Sequence, residues 1–467
     1  MTTDAPRAAR SPGGPRRARS VVDPARDAAF STLRAVDEKD SYANLVLPTL
    51  LRERKVDGRD AALATELTYG TLRMSGQLDL ILAACSSRPL AEVDPQVRDA
   101  LRLGAYQLLH TRVPQHAAVS STVDLVRRHA GEGRSKFANA VMRAVSRRSL
   151  DEWLAEVAPE DAVGRLTVTT SHPRWIVGAF ADALGGDLVE ASAALEADND
   201  RPQVHLVARP GRITRDELLA AAGPGAVEGT LSPYAVRLPG GGEPGAITPV
   251  RRGRAAVQDE GSQLAAIVLA TAPLEGRDEV WLDLAAGPGG KAGLLAGLAA
   301  ERGAVLVANE VAPHRARLVG RALADAPNAI AIAGDGLAPA WRDGAFDRVL
   351  LDAPCSGLGA LRRRPEARWR RRPEDLAGLG PLQRRLLDTA LASVRPGGIV
   401  GYVTCSPHLA ETRAVVSDAL KRHPGLEQLD VRPLLPGVAS LGDGPSVQLW
   451  PHRHGTDAMF LCLLRVP

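Results

Sequence analysis

Only four of the 467 residues are cysteine: Cys85, Cys355, Cys405 and Cys462. Their spacing makes neither a metal knuckle nor the dense framework that staples small secreted domains. Lysine is nearly as scarce, with five residues, so arginine carries almost all the positive charge. No apolar run approaches the length of a membrane span. The Arg16-Arg17 pair lacks the apolar stretch that would follow it in a twin-arginine export signal. These absences argue for a cytoplasmic, reducing setting and against any membrane role. The net charge of +4 is small but unevenly spread, and 45% hydrophobic content is ample for real cores. The length suggests two to four domains.

What is present centres on Val280-Trp-Leu-Asp-Leu-Ala-Ala-Gly-Pro-Gly-Gly-Lys291. The apolar start reads as a buried strand, the Gly-Pro-Gly-Gly as a sharp turn, and residues 292–298 as the next helix. Glycines there let the backbone take positive φ and come close to a ligand. A helix start adds unpaired N–H groups and a partial positive charge. The turn therefore suits a small ligand with a nucleotide-like part. The third glycine of the dinucleotide fingerprint is missing, which disfavours a nicotinamide cofactor.

Four more strands are expected downstream, at residues 303–309, 329–333, 346–351 and 398–404. They end at Glu310, at Asp335, at Asp352-Ala-Pro-Cys355 and at Cys405. In open α/β sheets, ligands sit outside the carboxyl ends of the strands. Five strand ends thus carry polar or reactive groups towards one crevice. Two thiols on that edge suggest a nucleophile, and the residues alone do not rank them. Cys85 and Cys462 lie in apolar patterns and read as buried structural thiols.

The motifs Ala285-Ala-Gly-Pro-Gly-Gly-Lys291, Asp352-Ala-Pro-Cys-Ser-Gly357 and Thr404-Cys-Ser406 resemble those of the bacterial Sun/Fmu (RsmB-type) ribosomal RNA cytosine-5 methyltransferases. The resemblance runs from about Val21 to the C-terminus. It implies S-adenosyl-L-methionine as cofactor and 16S ribosomal RNA as partner; the spacing of Cys and His gives no metal, and a monomer is the default expectation. By position, Ala285, Ala286, Gly287, Pro288, Gly289, Gly290 and Lys291 would wrap the methionyl part of the cofactor. Glu310 would hold the ribose, Asp335 would lie beside the adenine, and Asp352 would lie near cofactor and base. Cys405 would be the nucleophile and Cys355 a helper in product release. The family loop usually reads Cys-Ala-Ala-Pro-Gly-Gly-Lys, so Ala285 and Gly287 depart from it, and many relatives have Asp at the position of Glu310. Neither loop change removes a polar group, so cofactor binding is expected to survive. Cytosine C5 is a poor nucleophile; a thiolate adding to C6 activates it by splitting one hard step into easier ones. Asp352 is the candidate acid at N3, and Lys291 a source of the positive field a thiolate needs.

In chain order, residues 1–20 read as a disordered basic tail. Residues 21–150 read as an all-α bundle, with helical periodicity at 28–36, 45–51, 61–72, 78–84, 97–109, 117–128 and 137–147. Asp94-Pro95 marks a helix start and Val113-Pro114 a stop. Parts of this bundle resemble the NusB-like RNA-binding domain of the family. Asn139 reads as a hydrogen-bonded residue docking two helices. Residues 151–255 read as a helical linker plus a small α+β module, with strands at 203–208, 235–238 and 246–248 and a helix at 215–222. His172, before a proline, reads as a turn or cap residue. Residues 256–467 read as a Rossmann-like α/β catalytic domain, opened by Val257-Gln-Asp-Glu-Gly-Ser-Gln263. Residues 362–372 hold seven arginines and read as a phosphate-contacting lip for RNA. His452 and His454 lack further ligands for a metal. The fold class is thus multidomain, and the competing functions are a non-catalytic RNA-binding or assembly factor, methylation of another RNA, and DNA cytosine methylation. An N-methyltransferase is disfavoured by Asp352-Ala-Pro-Cys355.

Overall fold

The computed structural model describes residues 23–240 and 242–467, so the basic tail expected at 1–20 lies outside the described residues. Two compact units divide the chain, one ending at Val157 and one beginning at Ala158.

The first unit is helical: α1 (Pro24–Lys39), α2 (Ala43–Glu53), α3 (Gly58–Cys85), α4 (Pro95–His110), α5 (Gln115–Ala130), α6 (Glu132–Val145) and α7 (Leu150–Val157). Asp23 and Asp94 cap α1 and α4 by accepting from the N–H groups of Arg26 and Gln96, each before a proline at the first helical position. The segments 61–72 and 78–84 are not separate helices but parts of α3. The polar residues between them, Arg73, Ser75 and Gln77, are buried against the bundle, and packing overrides the broken apolar pattern. Gly70 leaves room for Tyr106 of α4, whose ring would lie 2.0 Å from a β-carbon there, and the Tyr106 hydroxyl donates to Glu66 at 2.6 Å. Leu67, Leu78, Ile81, Leu101, Leu125 and Met142 form the centre of the core. Asn139 is only half-buried, and among the described residues its side chain has no hydrogen-bond partner, contrary to expectation. Cys85, at the end of α3, is half-buried rather than enclosed.

The second unit begins with α8 (Ala162–Thr169), α9 (Arg174–Ala183) and α10 (Leu188–Ala197). His172 sits buried in the turn before α9, its Nδ1 2.8 Å from the Thr170 carbonyl. A four-stranded antiparallel sheet follows, built from β1 (Val204–Ala208), β2 (Val227–Glu228), β3 (Ala235–Leu238) and β4 (Ala255–Val257), in the order β2-β3-β1-β4. Between β1 and β2 lies α11 (Arg215–Ala222), held by a capping box of Thr214 and Glu217. The strand expected at 246–248 is absent. Pro244 and Pro249 instead start two short helical turns, the second being α12 (Thr248–Arg251).

The large sheet holds β5 (Val280–Asp283), β6 (Val305–Glu310), β7 (Ala329–Ala333), β8 (Phe346–Asp352), β9 (Val394–Thr404), β10 (Glu427–Leu429), β11 (Val447–Gln448) and β12 (Phe460–Arg465). Its order is β10-β12-β9-β8-β5-β6-β7, with β11 on β12. Strands β5 to β9 are parallel, and β12 returns antiparallel to β9. Helices α13 (Glu260–Thr271), α14 (Gly290–Ala300), α15 (Pro313–Leu323), α17 (Asp375–Ser393) and α18 (Arg413–Arg422) accompany the sheet, with α16 (Ala367–Arg370) and α19 (Pro451–His454) as single turns. Successive residues of a strand enter opposite cores: Trp281 joins α13 and α14, while Leu282 joins α17 and α18. Cys462 is buried in the second of these cores. The chain runs from β5 outward through β6 and β7, then returns to β8 on the other side of β5. That reversal opens a crevice at the carboxyl ends of β5 and β8, the place where such sheets bind ligands. Among the described residues, no helix is long and apolar enough to cross a membrane.

Candidate active site

The strand β5 delivers Asp283 to the crevice and the chain then turns through 284–289 into α14. Gly289 has φ 108°, and a β-carbon there would lie 2.8 Å from that of Ala322, so the turn requires glycine. The turn is pinned by the Ala286 N–H, which donates to the Asn309 carbonyl at 2.8 Å, and by Arg315, which donates to the Gly287 carbonyl at 2.6 Å. Glu310 closes β6 beside it. Its Oε1 accepts from the Ala312 N–H at 3.0 Å, and its Oε2 lies 3.7 Å from Arg315.

Asp283 is fully buried; among the described residues no partner reaches good hydrogen-bond geometry with either carboxyl oxygen, although the Ala285 N–H lies close enough to lower its pKa. Burial, then the neighbouring charge of Asp352, pushes its pKa up to about 8. A buried carboxyl this poorly bonded beside a glycine turn calls for an explanation, and a cationic or hydrogen-donating ligand would supply one. The sequence reading quoted this residue without nominating it. The signal was available: an acidic residue ending a wholly apolar strand.

Lys291, in the first turn of α14, reaches Asp352 at the end of β8, with Nζ 2.7 Å from Oδ2. Burial works against the ammonium, but Asp352 outweighs it and the net shift is upward. The loop turn and β8 are thereby tied across the crevice. Asp335 is different: it is exposed, and its carboxylate accepts only from Leu337 N–H in its own loop. The backbone of that loop does touch the site, since the Gly334 N–H donates to the Glu310 carbonyl at 3.2 Å.

The two thiols meet. Cys355, after β8, and Cys405, after β9, have their sulfurs 3.5 Å apart. Cys405 is shifted down, first by the hydrogen bond from Cys355 and further by Lys291, against burial and Asp352. Cys355 is shifted well up by the same hydrogen bond, by burial, and by the negative charges of Cys405, Glu411 and Asp352. Either sulfur can be the donor in this contact, and the neighbouring Lys291 ammonium favours the anion on Cys405. Glu411, which no sequence signal singled out, links both cysteine loops through Ser356 and Ser406.

The arginine-rich stretch after Cys355 is partly structural, which corrects the expectation of a single RNA-facing lip. Arg362 and Arg363 are clamped between Asp259, the cap of α13, and Asp457, at 2.6 to 2.9 Å. Arg368 is fully buried and donates to Asn199 and to the Asp198 carbonyl. His452 and Arg453 both bind Glu190, docking α19 on α10. Among the described residues, no cluster has the makings of a metal site.

Comparison with known proteins places this geometry. Residues 268–465 match the family described as 16S rRNA methyltransferase RsmB/F, and residues 23–147 match the NusB family. A Mycobacterium tuberculosis protein, named no further than as a methyltransferase, is 55% identical over 459 residues, spanning 97% of this chain and 98% of the relative. The ribosomal RNA small subunit methyltransferase B of Cronobacter sakazakii is 34% identical over 447 residues, spanning 94% and 98%. The chain belongs to the RsmB/F methyltransferase family. It is an RNA methyltransferase with a NusB-like helical region. Solved structures share the fold: the crystal structure of PH0851 superposes with TM-score 0.80 at 22% identity, over 96% of this chain and 99% of that one. NSun6 from Pyrococcus horikoshii gives 0.53 at 18% identity, over 63% and 98%.

Proposed function

We propose that this RsmB/F member methylates carbon 5 of a cytosine in 16S ribosomal RNA, with S-adenosyl-L-methionine as donor and Cys405 as covalent nucleophile. The carrying observation is the pair of sulfurs 3.5 Å apart, with Cys405 the one whose anion is favoured. Support for the substrate comes from the family description and from the relative's name.

The site fits the cofactor. Asp283, a buried carboxyl with no well-formed hydrogen bond among the described residues, suits the ammonium of its methionyl part, and Glu310 suits the ribose diol. The Ala286 and Gly289 N–H groups are already bonded to backbone carbonyls, so the backbone donors on offer are those at the start of α14. When bound, the cofactor supplies a methyl group on a sulfonium centre. The protein's own residues do the rest. The Cys405 thiolate adds to C6 of the base, which moves electron density towards C5. Asp352, with the Lys291 ammonium 2.7 Å away, is the group assigned to N3, where protonation assists the addition. A target inside an RNA helix would have to be flipped out to reach the crevice.

The test is Cys405→Ala, assayed by labelled methyl transfer to 16S RNA and by mapping methylated cytosine. Turnover is expected to fall by at least about a thousandfold, as for loss of a nucleophile, with cofactor binding by calorimetry retained. Activity close to that of the parent would overturn the reading. Methyl transfer to DNA in preference to RNA would replace the substrate.

A further inference from the structure

Glu411 lies between β9 and α18, is 1% exposed, and makes an unusual set of hydrogen bonds. Its Oε1 accepts from the Ser356 N–H at 2.7 Å and from Gln383 of α17 at 3.2 Å. Its Oε2 accepts from the hydroxyls of Ser356 and Ser406, the latter at 2.6 Å. Ser356 follows Cys355 and Ser406 follows Cys405. One carboxylate thus holds the residue next to each reactive thiol. Glu411 is itself fixed, since Tyr402 of β9 donates to its carbonyl at 2.7 Å and Gln383 also donates to the Pro354 carbonyl at 2.9 Å. The Glu411 carboxylate accepts four hydrogen bonds, while Gln383 Oε1 is left without one among the described residues, and a buried carboxylate bonded in this way restricts the local geometry.

Two thiols within hydrogen-bond distance pose a problem of choice, because either sulfur can be the donor. Something must break that symmetry. The charged groups facing Cys355 are Cys405, Glu411 and Asp352, all negative or potentially so. Those facing Cys405 are Cys355, Asp352, Lys291 and Asp457. Asp352 faces both, so it does not discriminate. Glu411 takes two hydrogen bonds from Ser356, next to Cys355, and one from Ser406, next to Cys405; it is among the chief charges disfavouring the Cys355 anion, as Lys291 is among those favouring the Cys405 anion.

We propose that Glu411 is a positioning residue that fixes the sulfur–sulfur hydrogen bond with Cys355 as donor and Cys405 as acceptor, and so decides which of two adjacent thiols is the nucleophile. The proposal rests on the covalent reading given above. It assigns to a residue that touches neither sulfur the task of polarising the pair, with Lys291 at the opposite end.

The experiment needs no RNA. The full-length protein is alkylated with iodoacetamide between pH 6 and pH 9, and the rate at each cysteine is read by peptide mass spectrometry. In the parent, Cys405 is expected to react about tenfold or more faster than Cys355 near pH 7, because the thiolate is the reactive form. In Glu411→Gln, which keeps the size but not the charge, the ratio is expected to fall to about threefold or less, with the Cys405 midpoint moved to higher pH. Ser406→Ala removes one hydroxyl from the network and is expected to lower the ratio at unchanged thermal unfolding, which covers the case in which the first variant does not fold. A parental ratio in whichever of these variants folds overturns the role of Glu411, even where Cys405→Ala is inactive. Methyl transfer surviving in Cys405→Ala instead overturns the nucleophile assignment, and the alkylation ratio does not depend on it.

Discussion

Gly287 and Glu310 share one volume: a β-carbon built on the glycine would lie 2.0 Å from Glu310 Oε2 and 2.9 Å from Arg315 Nε. The departures from the family pattern at these two positions are therefore one adjustment rather than two. A longer acid occupies the room that a loop methyl group would need. The Gly287→Ala variant is expected to push the Glu310 carboxylate aside and weaken S-adenosylmethionine binding by about tenfold, or about 1.4 kcal/mol. Adding Glu310→Asp is expected to restore most of that loss. Calorimetry on the single and double variants checks this, and equal affinity for Gly287→Ala and parent would show that the two residues are not coupled.

Asp283 makes the ligand-free protein less stable as pH rises. Its folded pKa of about 8 lies above the ordinary carboxyl value of 3.8, so between those values the folded state holds a proton that the unfolded state has released. Stability then falls with pH across that window, by at most about 1.4 kcal/mol per pH unit for one group. Below the ordinary value both states are protonated and the penalty is absent; above about 8 it is fully expressed. Asp283→Asn should flatten this dependence. Urea unfolding at pH 5, 6.5 and 8 without cofactor measures it, and identical slopes for variant and parent would remove Asp283 as the source.

The arginines after Cys355 differ in kind. Arg362 is buried between Asp259 and Asp457, so Arg362→Ala leaves two buried carboxylates short of a partner and is expected to cost about 3 kcal/mol or more. Arg372 is exposed, and Arg372→Ala is expected to change stability by less than about 0.5 kcal/mol. If Arg372 contacts phosphate, its loss should weaken RNA binding uniformly and reduce the salt slope by about one. Chemical unfolding and salt-dependent RNA binding of the two variants separate structural from substrate-facing arginine. Equal stability losses would refute the division.

That division was not legible in the sequence, and the reason is physical. Arginines at 362, 363, 368 and 372 look alike in a charge run, while their partners Asp259, Asp457 and Asn199 lie far away in the chain. Strands were legible where an apolar run ended in a polar group, and Ala329–Ala333 and Ala235–Leu238 appear with the expected bounds. Strand order was not, because the reversal between β5 and β8 is a property of the whole sheet. Glu411 was invisible for the same reason as the arginine clamp: its partners Ser356 and Gln383 come from other segments. The fit of Gly287 to Glu310 was likewise invisible in the sequence, because the steric contact joins two different strand ends.

Cys355 should matter most at the end of the reaction. After methyl transfer, a base takes the C5 proton, the C5–H electron pair re-forms the C5–C6 double bond, and Cys405 departs from C6 as a thiolate that can accept the Cys355 S–H, 3.5 Å away. Cys355→Ala removes the donor, so the leaving thiolate loses the largest cause of its downward pKa shift. A poorer leaving group slows elimination. The variant is therefore expected to retain adduct formation but to accumulate protein joined to RNA, seen as a slow band on a denaturing gel that requires S-adenosylmethionine. Its alkylation midpoint at Cys405 should also move to higher pH. Release of free methylated RNA at the parental rate, with no slow band, would show that Cys405 leaves without help from its neighbour.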